Sequence, residues 1–282
     1  MMKKITIRKG QLGLLSRQGD YYQVLDAGEH RLPWFNTPDV LVINTDGSEI
    51  PEALAEYLRR FQPTWVEQYC VVADLTDTEA GALYVNGVLQ EILPPATRRL
   101  YWQADEALKL VRMDTRQVLV PVDVMNAVLQ PRRSGAVKGR EAILTVQVPA
   151  WHVGVLKIDG ETQALLLPGL TAYWKVNHLI EAEVVDTRLQ VLEVGGQEIL
   201  TKDKVNLRLN LAANWRYSDV LLAFGQLTKP LDHLYRELQF ALREAVGTRT
   251  LDELLEDKQV IDEVVSAQVK ARMTPFGIEV AS

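Results

Sequence analysis

Gly154-Val155-Leu156, then Leu167-Pro168-Gly169, Tyr173-Trp174 and Asp186-Thr187, is a series of landmarks that the chain writes three times, and the repetition decides how it folds. One earlier copy runs Gly13-Leu14-Leu15, Leu25-Asp26-Ala27-Gly28, Leu32-Pro33-Trp34 and Asn44-Thr45. The other runs Gly81-Ala82-Leu83-Tyr84, Leu93-Pro94-Pro95, Leu100-Tyr101-Trp102 and Asp114-Thr115. From glycine to tryptophan the spacing is 21, 21 and 20 residues, and from glycine to the closing threonine it is 32, 34 and 33. One-residue slips around the Pro/Gly positions mark turns of different length.

Each copy reads as a short antiparallel β unit, because apolar runs such as Leu12 to Leu15, Ala82 to Val85 and Val153 to Ile158 suit strands with one or both faces buried. Asn86-Gly87 and Asp159-Gly160 are two-residue hairpin signals, since both residue types tolerate positive φ, and Gln18-Gly19-Asp20 marks the matching turn in the first copy. The tryptophan after each Pro/Gly turn is expected to cap the core of its own unit rather than to form a ligand platform, because aromatics bury large area.

With 282 residues, 47% of them apolar and 24% charged, the chain is an ordinary soluble composition long enough for two or three small domains. A net charge of −6 excludes whole-surface electrostatic binding of nucleic acid. The basic start Met1 to Gly10 lacks the apolar stretch of a signal peptide, and no apolar window is long enough for a spanning helix. Val118 to Leu129 reads as a buried strand or core segment, with a shallow membrane-inserting hairpin as the alternative. The single cysteine, Cys70, reads as a buried thiol in a reducing compartment. The expected location is the cytoplasmic side, soluble or peripheral to a membrane.

Between the copies, Leu54, Tyr57, Leu58 and Phe61 share one face of an amphipathic helix opened by Pro51. Pro131 to Arg140, with two glycines and four cations, reads as an exposed linker whose cations could instead touch anionic lipid headgroups. After the third copy, Val205, Leu207, Leu209, Leu211, Ala213, Trp215 and Tyr217 alternate with polar residues, the signature of a strand with one face buried. A helix from Pro230 to Val246 follows, with Gly247 as its expected C-cap. Thr250 and Glu253 form a capping box for the next helix, and Ile261 to Met273 belongs to its continuation or to a third helix. Pro275 and Gly277 end the helical region, and Ile278-Glu279-Val280 returns as a strand.

Val184-Val185-Asp186-Thr187-Arg188, Gln197-Glu198-Ile199-Leu200-Thr201-Lys202-Asp203, Trp215-Arg216-Tyr217, Leu242-Arg243-Glu244-Ala245-Val246-Gly247-Thr248 and Phe276-Gly277-Ile278-Glu279-Val280 follow one another in an order that resembles the stomatin, prohibitin and flotillin (SPFH, or band 7) superfamily, in particular its bacterial slipin branch. The resemblance covers residues 144 to 280. It implies an α+β domain, a β-rich subdomain followed by a mixed sheet with packed helices, at residues 143–282. Two β-rich repeat units, residues 1–68 and 69–142, precede it. It further implies a non-enzymatic scaffold that forms homo-oligomeric rings or cages, organises membranes and regulates membrane proteases or channels. In place of the anchor with which relatives begin, this chain has the two extra units, and the assembly helix that relatives carry after this stretch is not in the sequence.

Motifs for chemistry do not assemble. His30, His152, His178 and His233 are far apart and give no metal-ligand spacing, and phosphate-binding glycine loops and a nucleophile elbow are both missing. His233 and the acids Glu253, Glu256, Asp257, Asp262 and Glu263 read as solvated helix faces. Gln197 to Asp203 is expected to set a turn or a contact with a neighbouring subunit. No residue is therefore assigned a catalytic, cofactor-binding or metal-binding role. The leading expectation is the oligomeric scaffold, with a partner protein and peripheral lipid contact. The alternative is a soluble cytoplasmic module whose repeated β units dock a client without membrane attachment.

Overall fold

The computed structural model describes residues 2–103, 108–130, 136–256 and 258–281. Part of the basic linker, residues 131–135, lies outside them. The first strands are β1 (Met2–Ile7), β2 (Gln11–Arg17), β3 (Asp20–Leu25), β4 (Gly28–Pro33) and β5 (Asp39–Asn44). A second set follows as β6 (Cys70–Asp74), β7 (Glu79–Val85), β8 (Val88–Leu93), β9 (Arg98–Trp102) and β10 (Leu108–Asp114). The third is β11 (Ile143–Val148), β12 (His152–Ile158), β13 (Glu161–Leu166), β14 (Gly169–Trp174) and β15 (Ile180–Asp186). In every set the first strand pairs with the fourth, and the second lies between the third and the fifth.

The hairpins repeat in detail. Gln18-Gly19, Asn86-Gly87 and Asp159-Gly160 all have positive φ, the conformation of a two-residue turn whose twist matches that of the strands. A register shift falls at Leu15/Ser16, Leu83/Tyr84 and Leu156/Lys157, at the same distance from each landmark glycine.

Residues Met1–Thr145 with Thr171–His178 form one compact unit, and Val146–Leu170 with Leu179–Ser282 form a second. In the first unit the helices α1 (Glu52–Phe61), α2 (Pro63–Tyr69) and α3 (Val122–Leu129) join the strand sets. Leu58 of α1 packs with Leu14, Ile50, Leu100 and Trp102, and Val124 of α3 packs with Ala82, Ile92, Val120 and Trp174. Trp102 and Trp174 therefore complete the core of the preceding set, not of their own. Period-two alternation explains this: Tyr101 faces the core of the second set with Leu83 and Leu93, so the next side chain faces the other way. Short ladders fix the arrangement. Trp102 N–H donates to Ser48 O (3.0 Å) and Ile50 N–H to Leu100 O (2.8 Å), while Trp174 N–H donates to Val118 O (2.8 Å) and Val120 N–H to Ala172 O (2.9 Å).

The first set departs from the expected capping. Leu32 takes the core position beside Leu15 and Leu25, and Pro33 stands opposite Met2 as Trp102 stands opposite Cys70. Trp34 falls one residue beyond the strand and is 65% exposed. Val118 to Leu129 is a core segment and not a strand: its greater part forms α3, Val120, Val124 and Met125 are buried, and Pro121 opens the helix as Pro51 opens α1.

In the second unit, β16 (Gln190–Leu200), β17 (Asn206–Tyr217) and β18 (Ile278–Val280) form a sheet in that order, covered by α5 (Pro230–Gly247) and α7 (Lys258–Met273), with α4 (Val220–Gln226) and α6 (Leu251–Glu256) beside them. The expected mixed sheet is antiparallel throughout, because the short turn after Leu200 returns β17 directly alongside β16. Its core gathers Val194, Ile199, Trp215, Leu234, Leu238, Val269 and Ile278. Trp215 stands opposite Gln190, three residues after Thr187, as Ser48 and Val118 lie three residues after Thr45 and Thr115. Gly247 is the last residue of α5 and not its C-cap, which is Thr248, whose Oγ1 donates to Glu244 O (2.9 Å). The capping box forms, with Thr250 N–H donating to Glu253 Oε2 (2.8 Å). Gly277 ends the helical region at φ 69°, where a Cβ would stand 2.3 Å from Asp219 O.

Candidate interaction surface

Thr115 and Thr187 are clasps. Thr187 donates its N–H (3.0 Å) and its Oγ1 hydroxyl (2.7 Å) to Trp151 O, and Thr115 does the same to Thr78 O at 2.8 and 2.9 Å. Each is braced by the flanking pair. Arg188 Nε donates to both Asp186 oxygens at 2.9 and 3.1 Å, and Arg116 repeats this on Asp114 at the same distances. These guanidinium bonds, with an added backbone N–H, hold both carboxyls below the usual range, Asp186 by the larger margin.

The clasp brings three turns to one end of the third set. Trp151 precedes β12, Leu167 follows β13, and Leu189 follows β15; the register pairs His152 with Asp186 and Gly154 with Leu166. Their side chains are 72%, 76% and 57% exposed. Large apolar residues collected on turn tips mark a surface that another phase or molecule covers.

Gln197 to Asp203 sets a turn. Gly195-Gly196 forms a bulge in β16, with Gly196 N–H donating to Asn210 Oδ1 (2.7 Å). Thr201, only 2% exposed, bonds Asp203 Oδ1 (2.5 Å) through its hydroxyl and receives Val205 N–H (3.0 Å). Lys202 N–H donates to Arg249 O (2.8 Å) and Leu251 N–H reaches Asp203 Oδ1 (3.2 Å), which fastens the turn to the start of α6. The Thr201 hydroxyl, with the Asp203 and Leu251 N–H groups, lowers the pKa of Asp203. The Gln197, Thr201 and Asp203 side chains are thus engaged within the fold, while Glu198 and Lys202 are exposed.

Cys70 is buried in β6, and desolvation pushes its thiol up to about 12. His233 lies edge-on against Phe276 with centroids 5.2 Å apart, and is thus packed and not merely solvated. His30 shares a bond with Asp26 O, and His152 is 3.8 Å from Asp186. Among the described residues no group of His, Cys, Asp and Glu has the geometry of a metal site, and no helix is long and apolar enough to cross a membrane.

The strand set, the long β16–β17 hairpin and the helical cover define an α+β domain of recognisable class. Residues 146–282 match the SPFH domain / Band 7 family. A stomatin homologue of Pyrococcus horikoshii is 32% identical over 102 residues, covering 36% of this chain and 38% of the relative. An uncharacterized protein of Archaeoglobus fulgidus is 30% identical over 138 residues, 48% of this chain and 53% of that one. Mouse stomatin is 28% identical over 96 residues, 34% of each. Through this segment the chain belongs to the SPFH, or band 7, superfamily. The aligned stretch spans about two fifths of the length of the Pyrococcus relative.

Proposed function

We propose that the chain is a non-enzymatic scaffold of the slipin type, which lies against a membrane surface, assembles with further copies of itself and holds partner proteins such as membrane proteases or channels. The observation that carries this reading is the exposed apolar end of the third strand set, Trp151, Leu167 and Leu189. Trp is an interfacial residue, with an apolar body and a polar N–H, and a few such side chains give reversible peripheral binding. In this reading residues 1–68 and 69–142 are two further copies of the β-rich unit that opens the domain at 143–282. They add docking surface, and contacts repeated around an axis close a ring.

Light scattering at two concentrations and flotation with anionic vesicles test the proposal together. A discrete assembly that floats supports it, and a monomer that stays with the soluble fraction refutes it. The net charge of −6 favours a second reading, in which the same strand sets dock a client away from any membrane. A discrete assembly that does not float would select that reading.

A further inference from the structure

The equivalent strands β3, β8 and β13 each stand at the edge of a sheet, and each carries the extra residue of the register shift, Tyr22, Gln90 and Gln163. Two of these edges are sealed from within the chain. On β3, Tyr21 N–H donates to Tyr57 Oη of α1 (3.0 Å) and Gln62 Nε2 donates to Tyr21 O (2.7 Å). On β8, Lys138 lies parallel to the strand beside Glu91; its N–H donates to Gln90 O (3.2 Å) and its O accepts Ile92 N–H (2.9 Å). Val137 before it is buried with Ala80, Leu89 and Ile92, and Gly139 after it has φ 72°, where a Cβ would stand 2.0 Å from Ile92 O. The third edge has no such seal. Gln163 and Leu165 occupy the places of Gln90 and Ile92 in the same register, so Gln163 O and Leu165 N–H point away from β12. Among the described residues no other strand or loop segment is paired there. The core beside it is unfinished as well: Ala80 and Ile92 are 0% and 1% exposed, whereas their counterparts Val153 and Leu165 are only half-buried against Val155 and Val220.

We propose that the edge of β13 takes a short extended segment of a partner protein, seated as Val137-Lys138-Gly139 is seated on β8. The segment runs parallel to β13. Its central residue donates an N–H to Gln163 O and accepts Leu165 N–H, the main-chain pairing by which a strand is added to a sheet. The residue before it lays an apolar side chain on Val153 and Leu165. The residue after it is glycine, because a Cβ at that place would meet Leu165 O as it would meet Ile92 O on β8. The partner is therefore recognised by an apolar residue, any residue and glycine, in extended chain. Val137-Lys138-Gly139 of a second copy is not the source, since it already lies on that copy's own β8. The inference rests on the reading of the strand sets as docking surfaces, and its test uses neither vesicles nor assembly, so it and the membrane reading can fail separately.

Residue-resolved amide hydrogen exchange on the full chain tests it, with a capped synthetic peptide of the sequence Ala-Val-Lys-Gly-Arg, that of residues 136–140, as the probe at saturating concentration. In the protein alone the Leu165 amide exchanges fast, while the Ile92 amide, bonded to Lys138 O, is protected. Added peptide slows Leu165 by at least about tenfold and leaves Ile92 as it was. The same peptide with alanine in place of glycine gives no slowing, since its Cβ meets the Leu165 carbonyl. Protection of Leu165 in the protein alone would overturn the proposal, and if that protection grew with protein concentration it would assign the edge to a second copy. No response to the first peptide, or an equal response to both, would overturn it too.

Discussion

Between its first two strands the first set carries Arg8-Lys9-Gly10, whereas the third carries Pro149-Ala150-Trp151; between the third and fourth strands the contrast is Asp26-Ala27 against Leu167-Pro168. On the outer face, the first set has Pro33 where the later sets bury Trp102 and Trp174. Strand pairing is the same in both sets. A shared backbone scheme thus fixes where side chains point, and the residues at turn tips and on the outer face decide what each set touches.

The sharpest way to break this comparison is through the tryptophans. Trp174→Ala removes a side chain with 0% exposure and is expected to cost about 3–5 kcal/mol in urea unfolding. Trp34→Ala, at an exposed site, is expected to stay within about 0.5 kcal/mol of wild type. Equal losses would mean that the first set also buries its tryptophan. Next in size is the tip. Trp151→Asp with Leu167→Asp is expected to lower association with anionic vesicles by about tenfold, a change of about 1.4 kcal/mol, without moving the unfolding midpoint, and unchanged association would remove the functional contrast between the ends.

A smaller effect concerns the clasp. Because the pKa of Asp186 is lowered in the folded state, its contribution is present above the ordinary carboxylate range and fades as the pH falls toward its own lowered value. The destabilisation by Asp186→Asn, measured as unfolding midpoints from pH 7 downward, is expected to shrink with acid; a constant difference would show that the ion pair carries none of it. Smallest is Cys70. With its thiol pushed up to about 12, it should resist iodoacetamide at neutral pH until the chain is unfolded. Rapid labelling of the folded protein would contradict the burial in β6.

Local chemistry made several elements legible. Asn86-Gly87 and Asp159-Gly160 announce their hairpins, Thr250 and Glu253 their helix start, and the alternation from Val205 to Tyr217 its strand, because each is decided within a few residues. The partner of each tryptophan was not legible. Trp102 packs on Leu14 and Leu58, and whether a strand residue faces its own core or the preceding one depends on a single-residue difference in turn length. The apolar tip was hidden for the same reason. Trp151 and Leu189 are unremarked single residues in the sequence and Leu167 figures there only as a turn landmark, and only the strand pairing brings the three to one end. Of Gln197 to Asp203, the most distinctive run, the Thr201 and Asp203 side chains turn out to be spent on the turn itself and on the start of α6.

Pro33 gives the series a direction of growth. At each later joint an indole-bearing residue offers its N–H to the segment leaving the preceding set, a transaction that Ser48 and Val118 complete. Proline has no such hydrogen to offer. A duplicated set inserted between the first and the third could dock on its predecessor and receive its successor, lengthening the array with no new joint to invent. A set docked on the first at the equivalent edge would find one of the two hydrogen bonds of each later joint missing at Pro33, so a joint there would be weaker than those within the series.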